Sequence, residues 1–395
     1  MREGGRLFRR LGFAAVFMLA ACAAGAQTQQ PSSGQRNLAC GNPAAIGDGW
    51  PTATPDSVGL DGVRLCDIAA RLATTNANIH AVVIARRGTL VFEQYFPGHD
   101  EPWGMGDGQH DFDAQTKHDM RSVSKSVTSL LVGIAIDREL IKSADEPVVK
   151  FFPDYAAVKS PGWDAVTLRH LLTMSSGIQW DENRPWKDPQ NDEPHLGSEA
   201  DPFRYVLSKP IAAPPDTVWT YSGGGTDLLG NIIERVSGKS FEGFAREALF
   251  TPLGISDWEW MKYRNEHVAP AAGLRLRPRD AAKIGQLVLN KGAWNGKQIV
   301  SAKWIEQSVT PRFQAIGYFG GLFYYGQQWW MGRTLSGDRD VKWIAAQGLG
   351  GQRIFIVPEL DLVVMTTSGL YGSGRQGQAA LDILANFIIP SVRDK

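Results

Sequence analysis

The stretch Met120-Arg121-Ser122-Val123-Ser124-Lys125-Ser126, running on through Val127, Leu130, Leu131 and Ile134, decides how this chain is read. Those last four apolar residues recur at helical spacing and predict a helix from Ser122 to Arg138. Ser122 and Lys125, at i and i+3, then share a face on its first turn with their polar heads in hydrogen-bonding reach. The helix N-terminus adds positive potential where an alkoxide or oxyanion would develop. Burial depresses a lysine's pKa, so Lys125 is expected to be a neutral base that accepts the Ser122 proton. A serine at a helix start is more commonly a cap and a lysine three residues on more commonly solvated, so the spacing by itself is weak. It is nevertheless the only S-x-x-K in the chain.

Working outward, Ala81 to Ala85 and Thr89 to Tyr95 are β-rich runs joined by Arg86-Arg87-Gly88, which predicts an antiparallel hairpin. Near the other end, Arg353 to Val357 and Leu362 to Thr367 form a second such pair, followed by an apolar helical stretch from Gln378 to Ile389. Between the two pairs the patterns are mostly helical: Leu168 to Thr173, Gly225 to Val236, Phe241 to Leu249, Pro278 to Asn290 and Ala302 to Ser308. The expected fold is therefore α/β (α+β): an antiparallel sheet flanked by helices and built from both chain ends, with an inserted, mainly helical lobe. The Pro-, Asp- and Trp-rich segment from Asp181 to Pro202 reads as a long surface loop of the kind that forms lids.

With 395 residues, 43 % of them hydrophobic, the chain can bury a large core. Lys plus Arg equals Asp plus Glu at 41 each, so no overall field favours nucleic acid or an anionic membrane surface, and the expected partner is a small molecule. Arg2, Arg6, Arg9 and Arg10 precede an apolar run from Leu11 to Ala21, the pattern of an export signal over residues 1–26. Two processing readings stand side by side. Leu19-Ala20-Ala21-Cys22 resembles a lipoprotein box, which would lipidate Cys22, and Ala24-Gly25-Ala26 is an A-x-A cleavage site. The first is favoured and implies a periplasmic enzyme that meets the membrane only through its lipid anchor, with residues 27–49 as tether and 50–390 as the folded domain. Cys40 and Cys66 then remain as an even pair that can form one disulfide in an oxidising compartment or stay as two free thiols. No CxxC pair, CxxC…HxxxH or HExxH spacing occurs, so neither a metal site nor a cofactor is expected.

Longer blocks carry a resemblance. SVSKSVTSLLVGIAID (122–137), LLTMSSGIQWDE (171–182) and FAREALFTPLGISDWEW (244–260) resemble the serine β-lactamase and penicillin-binding-protein superfamily. GLRLRPRDAAKIGQLVLNKG (273–292) and AAQGLGGQRIFIVPELDLVV (345–364) are most similar to its esterase and 6-aminohexanoate-dimer hydrolase branch, related to class C β-lactamases. The resemblance implies Ser122 as nucleophile, Lys125 as base and Tyr221, in Trp219-Thr220-Tyr221-Ser222-Gly223, as proton relay. Gly223 stands where the family has Asn, and Ala346-Gln347-Gly348 stands where it has a cation, a hydroxyl residue and Gly. By the same resemblance the backbone N–H groups of Ser122 and Leu349 form an oxyanion hole, and Gly348, Gly350 and Gly351 let substrate approach the strand.

The expectation is a serine hydrolase acting through an acyl-enzyme on a small ester or amide, with β-lactam turnover weakened by the missing cation. A β-lactamase or D-amino peptidase is the alternative within the same chemistry, and a noncatalytic sensor on the same fold is the alternative outside it. No G-x-S-x-G elbow occurs, so the seven histidines carry no triad signal.

Overall fold

The computed structural model describes residues 41–393 except 76, 107 and 316–322. Cys22, Cys40 and the export segment lie outside the described residues. Among the described residues no helix is long and apolar enough to cross a membrane.

Ile79–Arg86 (β1) is buried along its whole length, as its continuous apolar run requires of a strand covered on both faces. It turns into Thr89–Tyr95 (β2) through Arg87 (φ 53°) and Gly88 (φ 75°), a two-residue connection with both φ angles positive that suits the right-handed strand twist. The other strands of the main sheet are Phe313–Ala315 (β3), Phe323–Tyr325 (β4), Trp330–Ser336 (β5), Arg339–Gly348 (β6), Gln352–Val357 (β7) and Leu362–Ser368 (β8). Their spatial order is β3-β4-β5-β6-β7-β8-β1-β2, every neighbouring pair antiparallel. β1 pairs with β8 from Ile79 opposite Ser368 to Arg86 opposite Leu362, so the sheet is closed from the two chain ends as expected. The β5–β6 hairpin is largely absent from the sequence reading, because its outer half alternates buried and exposed polar positions that look like loop. Gly332 in β5 sits opposite Trp343, whose ring lies 2.3 Å from where a Cβ would be; the glycine makes room for the indole.

Helices cover both faces. Gly62–Thr74 (α1) and the C-terminal Ala379–Ile383 (α10), with the π-helical turn that follows it, pack on one side, where Leu65, Ile68, Ile383 and Ile388 meet Val82, Ile84, Val364 and Phe355. Val123–Asp137 (α2) and Pro278–Leu289 (α8) pack on the other, where Val127, Leu130, Ile284 and Leu287 meet Val83, Ile354, Val363 and Met365. α2 is buried on every side from Val123 to Ala135, so it is a central helix and not an amphipathic surface one. Two of its buried hydroxyls reach backbone carbonyls outside the helix: Ser126 Oγ donates to the Gln328 carbonyl at 2.6 Å and Thr128 Oγ1 to that of Pro270 at 3.0 Å.

The helical lobe holds Leu168–Leu172 (α3), Glu193–Ser198 (α4), Pro202–Ser208 (α5), Gly223–Ser237 (α6) and Phe241–Ala245 (α7), which continues as a π-helical turn to Phe250; Ala302–Ser308 (α9) packs near α2. The expected loop from Asp181 to Pro202 is corrected here, since it contains α4 with a fully buried Leu196. Asp192 ties its ends: its backbone N–H donates to the Asp181 carbonyl at 2.8 Å, and its carboxylate accepts from the Asp181 N–H at 2.7 Å and from Tyr205 Oη at 2.6 Å. The segment is thus fastened to the lobe.

Candidate active site

The chain enters α2 through Arg121, whose φ of 49° makes a sharp turn, and Ser122 then begins the helix. Ser122 makes no side-chain capping bond, so its hydroxyl is not consumed by the helix start. Lys125, one turn on and 1 % exposed, donates from Nζ to Ser122 Oγ at 3.1 Å and to the Ala271 carbonyl at 3.2 Å. The Lys125 ammonium also lies 4.8 Å from the centre of the Tyr221 ring, and the Tyr221 hydroxyl interacts by hydrogen bonding with both Ser122 and Lys125. Trp219, Tyr325 and Trp330 wall the Tyr221 ring at centroid distances of 5.9, 6.2 and 5.9 Å, which fixes the phenol's direction. The three side chains expected from sequence are therefore together.

The electrostatics around them differ from the expectation of a depressed lysine. Burial does pull Lys125 down, but Tyr221 and the carboxyls of Glu182, Glu193 and Asp227 push harder, and its pKa stands above the ordinary lysine value. Burial raises the Tyr221 phenol as well, against the opposing pull of Lys125. The acids are themselves perturbed. Burial and the facing Glu182 raise Glu193 to about 7, and burial raises Asp227 to about 7 although Tyr263 Oη (2.9 Å) and the Ala271 N–H (3.1 Å) both donate to it. The Ala271 backbone thus links Asp227, through its N–H, to Lys125, through its carbonyl. Sequence reading assigned no role to these acids, and Glu182, inside the block 171–182, is the one a motif could have flagged. Tyr263, in the chain's only literal Y-x-N, belongs to this rear shell and not to the position beside Ser122.

Gly223 opens α6, and its N–H donates to Glu182 Oε2 at 2.6 Å; a Cβ on Gly223 would lie 3.3 Å from that oxygen. A carboxylate therefore occupies the neighbourhood where the family's amide would project. Ala346, Gln347 and Gly348 end β6, and Gly348 runs so close to the nucleophile turn that a Cβ there would sit 2.3 Å from the Met120 carbonyl oxygen. The strand end and the start of α2 are thus in backbone contact. Among the described residues, neither the Ser122 nor the following Leu349 N–H has a protein acceptor. Gly350 (φ 85°) and Gly351 (φ 102°) form a turn in which an added Cβ would meet Tyr371 and Ser368, so the chain's own packing already requires glycine at both positions.

Three arginines that could supply a cation are already engaged. Arg353 donates to the carbonyls of Gly348 and Gln352 at 2.9 and 2.8 Å, Arg333 pairs with Asp340 on the outer surface, and Arg121 pairs with Asp119 at 3.2 Å between the rings of Trp103 and Tyr371. Elsewhere, Cys66 on α1 is disulfide-bonded, while Cys40, its expected partner, lies outside the described residues. His170 closes a capping box with Thr167 at the start of α3, a structural place. Among the described residues one group has the chemistry to hold a metal, His80, Asp100 and His118, which no spacing motif announced. Burial and the neighbouring His118 pull His80 down to about 3, so its ring is neutral.

The family described as beta-lactamase matches residues 68–386. A 6-aminohexanoate-dimer hydrolase of Paenarthrobacter ureafaciens is 25 % identical over 368 residues, covering 82 % of this chain and 84 % of its own. A lovastatin esterase of Penicillium rubens is 31 % identical over 172 residues, 40 % of this chain and 41 % of its own. The structure of an octameric penicillin-binding protein homologue from Pyrococcus abyssi superposes with a TM-score of 0.61 at 22 % identity, covering 82 % of this chain and 77 % of its own, and so shares the fold.

Proposed function

Because the chain belongs to the beta-lactamase family, we propose that it is a serine hydrolase that cleaves a small ester or amide through an acyl-enzyme on Ser122. The observation that carries this reading is the 3.1 Å contact between Lys125 Nζ and Ser122 Oγ, buried beside the Tyr221 phenol. In the fully protonated pair neither Lys125 nor Tyr221 is a base, so the active form has lost one proton from the two together. That pair takes the Ser122 proton as Oγ attacks the carbonyl carbon, then returns it to the departing alkoxide or amine. The Ser122 and Leu349 N–H groups hold the oxyanion. A water attacks the acyl-serine next, giving its proton to the same pair, and the acid leaves as Ser122 is restored.

The substrate we infer carries no carboxylate beside the scissile bond, since Ala346 offers no cation and Glu182 brings negative charge to Gly223. The enzyme works in the periplasm, anchored through lipidated Cys22; the export pattern of the first 26 residues and the oxidised Cys66 support this, and the mass of the mature N-terminus tests it. The catalytic reading is tested by labelling with a fluorophosphonate. Wild type should form a single adduct on Ser122, and Ser122→Ala should form none and hydrolyse p-nitrophenyl butyrate at less than about a hundredth of the wild-type rate. An adduct on another residue, or a folded Ser122→Ala with more activity than that, refutes it.

A further inference from the structure

His80 on β1, Asp100 at the end of the short strand Gly98–Asp100 and His118 in the short strand His118–Asp119 converge in the interior, at 0, 5 and 1 % exposure. One ligand atom from each lies within 4.8 Å of the others. Hydrogen bonding fixes how the two rings carry their protons. Asn78 is oriented because its Nδ2 donates to the carbonyls of His99 (2.8 Å) and Gly369 (3.0 Å) while its Oδ1 accepts from the His99 N–H (3.0 Å). His80 Nε2 faces that Oδ1 at 3.2 Å and must carry the hydrogen, which leaves Nδ1 a lone pair. His118 Nδ1 faces the Asp119 carbonyl at 3.1 Å and is protonated for the same reason, which leaves Nε2 a lone pair. The two lone pairs point at each other across 2.9 Å.

The third member adds to the conflict. Asp100 has a buried Oδ1 with no hydrogen-bond partner among the described residues, and its Oδ2 lies 3.7 Å from His118 Nε2. Two imidazole lone pairs and a carboxylate facing one point, each ring held from behind by an oxygen acceptor, is the arrangement in which a positive charge is required and in which metal-binding histidines are normally oriented. Gly98 is part of the design: a Cβ there would lie 2.5 Å from Asn78 Oδ1 and 2.6 Å from the His80 ring. Phe112, stacked on His80 with centroids 4.1 Å apart, roofs the group.

We propose that His80 Nδ1, His118 Nε2 and the Asp100 carboxylate bind a divalent transition-metal cation of the zinc type. Two imidazoles and a carboxylate suit such an ion better than calcium or magnesium, which take oxygen ligands. Nitrogens bound tetrahedrally at ~2.05 Å stand roughly 3.3 Å apart, so the rings need to part by only about 0.4 Å. The ion would fasten β1 and the Gly98–Asp100 strand to a residue four positions before Ser122, and so steady the turn that presents the nucleophile.

The test uses the full chain stripped with a chelator and dialysed against zinc. Elemental analysis should find about one zinc per chain, and zinc should raise the melting temperature by about 5 °C. Cobalt(II) should give visible d–d absorption bands. Asp100→Asn, which keeps the side-chain shape, and His118→Gln should lose the zinc, the thermal shift and the bands, whereas His195→Ala, on α4 in the helical lobe, should keep all three. Zinc retained at full stoichiometry in folded Asp100→Asn overturns the assignment. If the histidine variant does not fold, the wild-type cobalt spectrum decides: a stripped chain that shows no bands holds a shared proton between the rings and no metal.

Discussion

Gly348→Ala tests the contact on which the oxyanion site depends. The added Cβ would meet the Met120 carbonyl oxygen at 2.3 Å and the Cβ atoms of Arg121 and Gln352 at 3.2 Å, where ordinary contacts begin near 3.4 Å. The strand end and the nucleophile turn must therefore separate by roughly 1 Å, a displacement of the size that costs about a hundredfold when it misaligns reacting groups. Loss of one of two oxyanion donors costs about 10²- to 10³-fold in kcat, so a fall in that range is expected, with KM changed little because the cleft walls stay in place. Overpacking should also cost about 1–3 kcal/mol of stability, seen as a melting temperature lower by several degrees in a protein still folded at 25 °C. Leu349→Ala is the control: it keeps the backbone N–H, its side chain is 47 % exposed, and its kcat should stay within a few-fold of wild type. The assay is steady-state hydrolysis of p-nitrophenyl butyrate beside circular dichroism melting. A folded Gly348→Ala whose kcat is within tenfold of wild type would refute the assignment of the Leu349 N–H.

Lys125→Ala and Tyr221→Phe should each lower kcat by at least about a hundredfold, and the double variant should be hardly worse than the poorer single one, because both act on one proton; additive losses would count against a shared relay. Esters should be turned over with higher kcat/KM than nitrocefin, since a charge-assisted hydrogen bond to a β-lactam carboxylate, worth roughly 1.5–3 kcal/mol, has no donor at Ala346; faster nitrocefin turnover would mean that another cation serves. Asp227 has a folded pKa raised from 3.8 to about 7, so its favourable neutral form contributes stability fully below pH 3.8 and loses it as pH rises through 7, on the order of 4 kcal/mol at most. Asp227→Asn should therefore gain melting temperature relative to wild type between pH 5 and pH 8, and the rising limb of kcat/KM should move to lower pH as Lys125 loses one of the charges that raise it. A variant-minus-wild-type difference that is flat with pH would contradict the buried-acid account.

What the sequence alone determined about this protein is what depends on near neighbours. The i, i+3 spacing on one helical turn brings Ser122 and Lys125 together, and Arg87-Gly88 supplies the positive φ angles that fold β1 onto β2. The apolar runs at the two chain ends are long enough to name the strands that meet as Ala81 opposite Thr367. Tertiary structure decided whatever sums contributions from distant segments. Glu182, Glu193 and Asp227 reach Lys125 from three separate parts of the helical lobe, and their joint field reverses the sign that burial alone would give its pKa. Gly223 reads as a lost amide until Glu182 is seen bonded to its N–H. His80, Asp100 and His118 stand 20 and 18 positions apart, a spacing with no local geometry of its own. Only the folding of three strands onto one point makes them neighbours. Helical and hairpin periodicities are short-range and survive in the sequence pattern, whereas electrostatic and ligand geometry is set by distances through space, which the order of residues does not record.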